Sequence, residues 1–311
     1  MRVHESFKFD PNPKWAWDFK ELLLDRLSEI PDDYSLSFSA GIDSSMLLYG
    51  LMELGKKPSQ LLTFQVEDYD TNDLIYSRKI AKGYGIPLEI VNIPKINKES
   101  ASKIIKDGID RIGISRKIDI QCCYAYWYML QHISTKHLVA GLYEDVIYET
   151  NAKLSIKYRD MLKGVVTRED FDKHYNDHRR MCYEDKNFNG NVHNHVSIRK
   201  YINSYGITLD TPLQTESIYK HFQNVNYEQT NFKFEDDKMK EKKKWFVTDV
   251  LFKDEFERFG NAKNKSNFHT KKEKGDINTL HCEIFGVEKK QLISHYNKIK
   301  NEVQHEWFQL R

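Results

Sequence analysis

The sequence predicts an α/β fold, a parallel sheet flanked by helices with a mostly helical C-terminal part, on three observations. Short β-like runs alternate with apolar-periodic helical runs through the first half. A loop of small residues stands where the first strand should turn into a helix. After about residue 155, helix signals outnumber strand signals.

Taken in order, Trp15–Ile30 reads as a helix ahead of the sheet. Tyr34–Phe38 (YSLSF) alternates apolar and polar positions, as a half-buried strand does. Ser39–Ser45 (SAGIDSS) follows as a loop. Met46, Leu47, Leu48, Leu51, Met52 and Leu54 then run to Gly55, with Pro58 beyond, which is an apolar helix with a glycine stop. Leu61–Val66 is a buried strand. Thr71–Tyr84 is a helix with Thr71 as N-cap, stopped by Gly85-Ile86-Pro87. Leu88–Ile93 is a third strand. The alternation implies right-handed crossovers and parallel pairing. Asp119–Ser134 reads as a helix with Ile120, Cys123, Trp127 and Leu130 on one face. His137–Ala140 is a short strand leading into Gly141-Leu142-Tyr143-Glu144-Asp145.

A strand, a small-residue loop and a helix N-terminus together make an anion site. Backbone N–H groups point outward, the helix dipole favours negative charge, and hydroxyls add donors. Asp43 within such a loop implies a metal-bound phosphate, because a bare carboxylate repels one. No Gly-Lys-Ser/Thr follows, so the loop is not a Walker A motif.

SAGIDSS resembles the Ser-Gly-Gly-x-Asp-Ser signature of the PP-loop ATP pyrophosphatases, with Ala40 in place of the first glycine. Alanine is tolerable there unless the loop needs a positive φ. The resemblance implies a Rossmann-like sheet of the adenine nucleotide alpha hydrolase kind. It also implies cleavage of ATP between the α and β phosphates, with adenylation of a substrate. The stretch from Thr63 to Ile93 is similar to the asparagine synthetase branch. Gly141–Asp145 resembles that branch's Gly-x-Gly-Ala-Asp-Glu loop, with Gly141 on the first glycine and Asp145 on the aspartate. The resemblance thereby implies that Ser39, Ala40, Gly41, Ile42, Asp43, Ser44, Ser45 and Gly141 line the ATP pyrophosphate site. Backbone groups around Phe64 and Val66 would receive adenine. Asp43 and Asp145 would hold Mg²⁺, a hard cation suited to carboxylate and phosphate oxygens.

Two departures narrow the substrate. Leu142 and Val146 stand where the branch carries glutamates that help hold its amino acid, so simple aspartate is not the expected acceptor. Only about thirty residues precede the first strand, too few for the glutaminase domain of the branch. The expected nitrogen source is ammonia, an amine, or ammonia from a separate glutaminase.

Composition sets the remaining bounds. The 311 residues suit one large domain or two closely packed ones, with 40% hydrophobic and 13% aromatic residues for a core. The expected division is an N-terminal helical extension at 1–30, a nucleotide domain at 31–155 and a helical substrate or lid region at 156–311. A net charge of +2 gives no bulk nucleic-acid footprint. With no signal-peptide pattern and no apolar run near eighteen residues, a cytoplasmic protein is expected. Cys122, Cys123, Cys182 and Cys282 form no Cys-x-x-Cys pair, and their spacing argues against a disulfide framework. His178, Cys182, His193 and His195 have zinc-like spacing, but the Asn-rich insert among them reads as a plain connector.

Gly206–Phe222 resembles the family segment in which a proline-led turn precedes a helix near the substrate pocket. Glu257–Lys272 resembles the family's late basic loop, which carries a lysine to the ATP phosphates. Arg258, Lys263 and Lys265 are its catalytic candidates, with Lys265 the best fit. Lys238–Lys244 (KMKEKKK) reads as a charged helix face.

The expected activity is an ATP-dependent, AMP-forming ligase. It adenylates a carboxylate, releases pyrophosphate and forms an amide. Two alternatives stand beside it. One is a sulfurtransferase or phosphoadenosine-phosphosulfate reductase-like enzyme, for which Cys282 is the C-terminal candidate. The other is a non-catalytic nucleotide-binding module.

Overall fold

The computed structural model describes residues 7–66, 72–94, 98–113, 117–142, 152–184, 195–236 and 238–261, with three single positions beyond. A five-stranded parallel sheet forms its centre, in the order β3-β2-β1-β4-β5. The strands are β1 (Ser35–Ser37), β2 (Gln60–Val66), β3 (Leu88–Ile93), β4 (His137–Ala140) and β5 (Thr208–Asp210). The chain winds outward from β1 through β2 to β3, then returns to place β4 on the other side of β1. That reversal creates a crevice at the carboxyl ends of β1 and β4, where open α/β sheets bind ligands.

Helices cover both faces. One face carries α1 (Lys14–Ser28), α2 (Ile42–Glu53) and α3 (Asn72–Tyr84). The other carries α4 (Lys98–Ile112) and α5 (Lys117–Met129). Among the described residues, the further helices before β5 are α6 (Ala152–Leu162), α7 (Arg168–Glu184) and α8 (His195–Asn203), the last packed in the layer of α4 and α5. Beyond β5 come α9 (Glu216–Gln223) and α10 (Tyr227–Asn231). An antiparallel hairpin of β6 (Phe232–Glu235) and β7 (Lys238–Glu241) follows, then a π-helix (Val247–Leu251) and α11 (Lys253–Phe259).

Helix α2 is apolar on every side because it is enclosed on every side. Met46, Leu47, Leu48 and Leu51 are fully buried between the sheet, α1 and the π-helix. Each such side chain contributes about 1.5–3 kcal/mol by leaving water. Gly50 lets α1 approach, since a Cβ there would lie 2.7 Å from Leu27 Cδ1. Gly55, at φ +71, ends the helix in the left-handed conformation that glycine adopts without strain.

Several expectations are corrected in detail. Helix α2 begins at Ile42, so Asp43, Ser44 and Ser45 belong to its first turn and the loop shortens to Ser39–Gly41. The helix expected over 119–134 is α5, ending at Met129. Helix α4 and the three-residue β5 were not anticipated. The Lys238–Lys244 segment is not a helix face: its first half is β7, paired with β6. Helix α9 packs against α1, with Phe222 buried 5.0 Å from the Phe19 ring and 6.3 Å from Trp15.

Candidate functional site

The loop Ser39–Gly41 leaves the sheet at its switch point. Strand β1 pairs with β4 up to Ser37 opposite Ala140, so the loop that begins at Ser39 and the segment that begins at Gly141 leave the sheet from neighbouring strand ends. Ala40 is fully buried and has φ +51. The loop therefore does need the left-handed conformation at the position where the PP-loop signature has glycine. A non-glycine residue held there costs about 1–3 kcal/mol, and such strain clusters at functional sites. Gly41 is the extended N-cap of α2, and the Ser45 N–H donates to its carbonyl at 2.9 Å.

Side chains knit the short loop to the first turn. The Ser39 and Ser44 hydroxyls lie 3.3 Å apart, and the Ser39 N–H donates to Ser44 Oγ at 3.3 Å. Ser44 Oγ also donates to the Gly41 carbonyl, and the Gly41 N–H donates to Ser39 Oγ at 3.4 Å. These long bonds hold the donors in place while leaving them exchangeable for a stronger acceptor such as phosphate.

Asp43 is 5% exposed, and Lys244 reaches it from 201 residues away. The Lys244 ammonium donates to Oδ1 at 2.6 Å and to Oδ2 at 2.7 Å, and is itself 6% exposed. This lysine was missed in the sequence, where it merged into a run of surface lysines. The signal that marks it is the switch from KMKEKK to the apolar Trp245-Phe246-Val247, where a solvated face ends.

The hairpin is built to deliver that lysine. Lys242 and Lys244 donate backbone N–H bonds to the Asn231 and Thr230 carbonyls, at 2.8 and 3.0 Å. Trp245 Nε1 donates to the Gln229 carbonyl at 2.8 Å. Lys233 and Lys242 both donate to Asp249 Oδ2, at 2.5 and 2.7 Å, pinning the hairpin to the π-helix. Burial pushes the Asp249 carboxyl up, but these two ammonium groups and the Thr248 hydroxyl win and hold it below its usual range. Lys244 itself has φ +58, so the chain bends at the residue that enters the site. A π-helix next to it is a further feature common at functional sites.

The other candidates fall as follows. Strand β2 pairs with β1 only as far as Leu62, whereas its pairing with β3 continues to Val66 opposite Ile93. Phe64–Val66 thus extends past the loop along the crevice, with the Phe64 ring 6.1 Å from Tyr126. Gly141 and Leu142 are half-buried at the end of β4, with the Leu142 N–H donating to the Ala140 carbonyl. Arg258 stacks over Phe259 at 4.7 Å in α11, beside Tyr84, and is not brought to Asp43. Asp145, Lys263, Lys265 and Cys282 lie outside the described residues, as do the side chains of His178, Cys182, His193 and His195.

Among the described residues, no group of three or more acidic, histidine or cysteine side chains is placed to hold a metal ion. Asp43 is an oxygen donor of the right kind for Mg²⁺. Both its oxygens are engaged by Lys244, so a cation there must share or displace the ammonium. Among the described residues no helix is long and apolar enough to cross a membrane.

No family model matches the chain, and no curated protein does. Among solved structures it is similar to the U34-tRNA thiolase NcsA from Methanococcus maripaludis, determined with its 4Fe–4S cluster. That likeness has 13% identity over 93% of this chain and 80% of the other, with a TM-score of 0.33. It is also similar to NMN synthetase from Francisella tularensis, at 14% identity over 70% of this chain and 98% of the other, with a TM-score of 0.30. Likeness at this level identifies neither substrate nor chemistry. The parallel sheet, its switch point and the loop set there are features of this chain itself.

Proposed function

We propose that the chain is an ATP-dependent, AMP-forming synthetase of the PP-loop type. It adenylates a carboxylate and passes the acyl group to ammonia or an amine. The observation that carries this reading is the pair of Asp43 and Lys244, buried together beside a strained small-residue loop at the sheet's switch point.

In this reading the loop N–H groups and the Ser39, Ser44 and Ser45 hydroxyls bind the β and γ phosphates. Backbone groups of Phe64–Val66 take the adenine. Asp43, with Asp145 from the segment that follows β4 in sequence, would hold Mg²⁺, which when bound offsets triphosphate charge. The substrate carboxylate attacks the α phosphorus, and the bond to the bridging oxygen breaks to release pyrophosphate. Ammonia or the amine then attacks the acyl carbon, and AMP leaves. Lys244 supplies the mobile point charge that meets negative charge as pyrophosphate departs. It takes the role expected of the late basic loop, with Lys263 and Lys265 as further candidates for the same charge.

The test is a pyrophosphate-release screen of the full chain with Mg-ATP, ammonium, and pooled amino acids, nucleotides and sugar acids. A synthetase releases pyrophosphate only with its cognate acid. In that assay Asp43→Ala should abolish turnover while circular dichroism stays unchanged. Full turnover in the folded variant would remove Asp43 from the site. Release with no pool would leave the nucleotide-binding module as the better reading.

A further inference from the structure

We propose that Lys244 is held at the loop from both sides in sequence, by an aromatic latch at Trp245 and a charged clamp at Lys242, so that Phe9 and Asp249 are positioning residues of the site. This rests on the reading above that Lys244 serves the loop at Ser39–Gly41.

The argument begins with reach. A lysine ends in a compact charge on a flexible four-carbon stem, so where it lands depends on how firmly its Cα is placed. A misplacement of about 1 Å can cost on the order of 10²-fold in rate. Lys244 stands between β7, which ends at Glu241, and the π-helix, which begins at Val247. Its backbone bond to the Thr230 carbonyl fixes one point. Its neighbours in sequence fix the others.

The latch follows the lysine. Trp245 is 2% exposed, and the half-buried Phe9, from the segment ahead of α1, packs on its ring at 5.0 Å. Phe246 is met by the same part of the chain, 4.9 Å from Trp15 and 6.0 Å from Phe19. Trp245 Nε1 is bonded to the Gln229 carbonyl, so the indole is gripped at its ring and at its edge. Phe9 belongs to no helix or strand, yet it touches the residue next to the site.

The clamp precedes the lysine. Lys233 lies 2.5 Å from Asp249 and 3.3 Å from Glu235, and Lys242 lies 2.7 and 3.5 Å from the same two carboxylates. The Thr248 hydroxyl donates to the second Asp249 oxygen at 2.7 Å. Strand β6, the segment after β7 and the π-helix therefore meet at one carboxylate. The four charged side chains are between 19% and 39% exposed. Ion pairs that solvent reaches in this way add little stability, so what this network contributes is geometry. Val247 and Leu251 face the core from the same π-helix, so one turn ties the hairpin to the core.

The two holds differ in one testable respect. The clamp is partly exposed and is screened by salt, whereas the apolar latch is not.

The experiment is acetylation of the full chain by acetic anhydride, with labelling at Lys244 followed by mass spectrometry. Lys79, tied to the Phe259 carbonyl at 2.8 Å, is the internal control. The buried Lys244 of the wild type should label slowly. Asp249→Asn and Phe9→Ala should each speed its labelling about 5- to 30-fold, the change in open population that follows loss of one such hold. Lys79 should not change, and Asp249→Glu should restore slow labelling at Lys244. Raising KCl from about 0.05 to about 0.5 M should speed Lys244 labelling in the wild type and in Phe9→Ala, but not in Asp249→Asn. With a cognate acid in the pyrophosphate assay, both variants should lower kcat at least about 10-fold with little change in KM for ATP. Unchanged Lys244 labelling in either variant overturns the two-sided hold. Lys244 and Lys79 rising together show general loosening and overturn it too, as does faster labelling with kcat unchanged. Failure of every acid pool removes the synthetase reading, while the labelling and its salt dependence still decide whether Phe9 and Asp249 place Lys244.

Discussion

Lys244, bonded to Asp43, and Ala40, three residues before it in the chain, are non-glycine residues held in the left-handed region. Each makes a prediction. Lys244 should act on departing pyrophosphate more than on ground-state ATP. Lys244→Met should then lower kcat by on the order of 10²–10³, about 3 kcal/mol, with little change in ATP affinity. Lys263→Met and Lys265→Met measured alongside should fall less. A larger loss in either would return the role to the late loop. Ala40→Gly should relieve the strain of φ +51, about 1–3 kcal/mol, against about 0.5–1 kcal/mol of added unfolded-chain entropy. Urea denaturation should show a stabilised variant, and a lower midpoint would mean that Ala40 is unstrained. At this scale the sequence spoke unevenly. Asp43 was legible because the loop motif surrounds it with small residues. Lys244 was not, because its partner lies 201 residues away and no local pattern encodes that distance.

Elements were legible where their signals are local. The glycine stops at Gly55 and Gly85, both at positive φ, mark the ends of α2 and α3 as expected. Helix α4 escaped notice because its charged residues mask an apolar stripe of Ile104, Ile105 and Ile109 that only the sheet reveals. The β6–β7 hairpin escaped because its strands are only four residues long: Phe232–Glu235 alternates apolar and charged positions, but Lys238–Glu241 carries one apolar residue, and the register comes from pairing, not propensity. The junction of α3 with α11 is equally non-local and can be tested. Gly83 sits inside α3, where alanine ordinarily gains helix stability. A Cβ there would lie 2.3 Å from Phe259 Cε1 and 2.8 Å from Cζ, so α11 would have to move. Lys79 Nζ ties the same corner by donating to the Phe259 carbonyl at 2.8 Å. Gly83→Ala should therefore destabilise by about 1–3 kcal/mol, as overpacking does. A neutral or stabilising result in thermal denaturation would show that the α11 contact yields freely.

Contacts between distant parts of the described chain hold it together. Helix α1, near the start of the described chain, packs on α9 and Phe246, so Trp15, Phe19, Phe222 and Phe246 form one aromatic cluster. The parallel sheet was predictable from alternation and crossover handedness, whereas neither fixes the placing of β4 beside β1. This closure was not predictable either, since it depends on which apolar faces meet. His221 lies within it, stacked 6.3 Å from Phe19. Burial lowers its pKa, outweighing a backbone hydrogen bond at Trp15 and the charge of Asp18, while Lys14 adds to the lowering. The neutral ring is therefore the folded form. The unfolded chain, with its histidine near about 6.5, binds the extra proton first as pH falls. The stability this neutrality contributes is complete above the unfolded value and is lost as pH drops through the folded one. Urea midpoints should thus decline from pH 7.5 toward pH 5. His221→Leu keeps an apolar side chain and cannot titrate, so its decline over the same interval should be shallower. Parallel slopes for the two proteins would show that His221 does not couple the closure to protons.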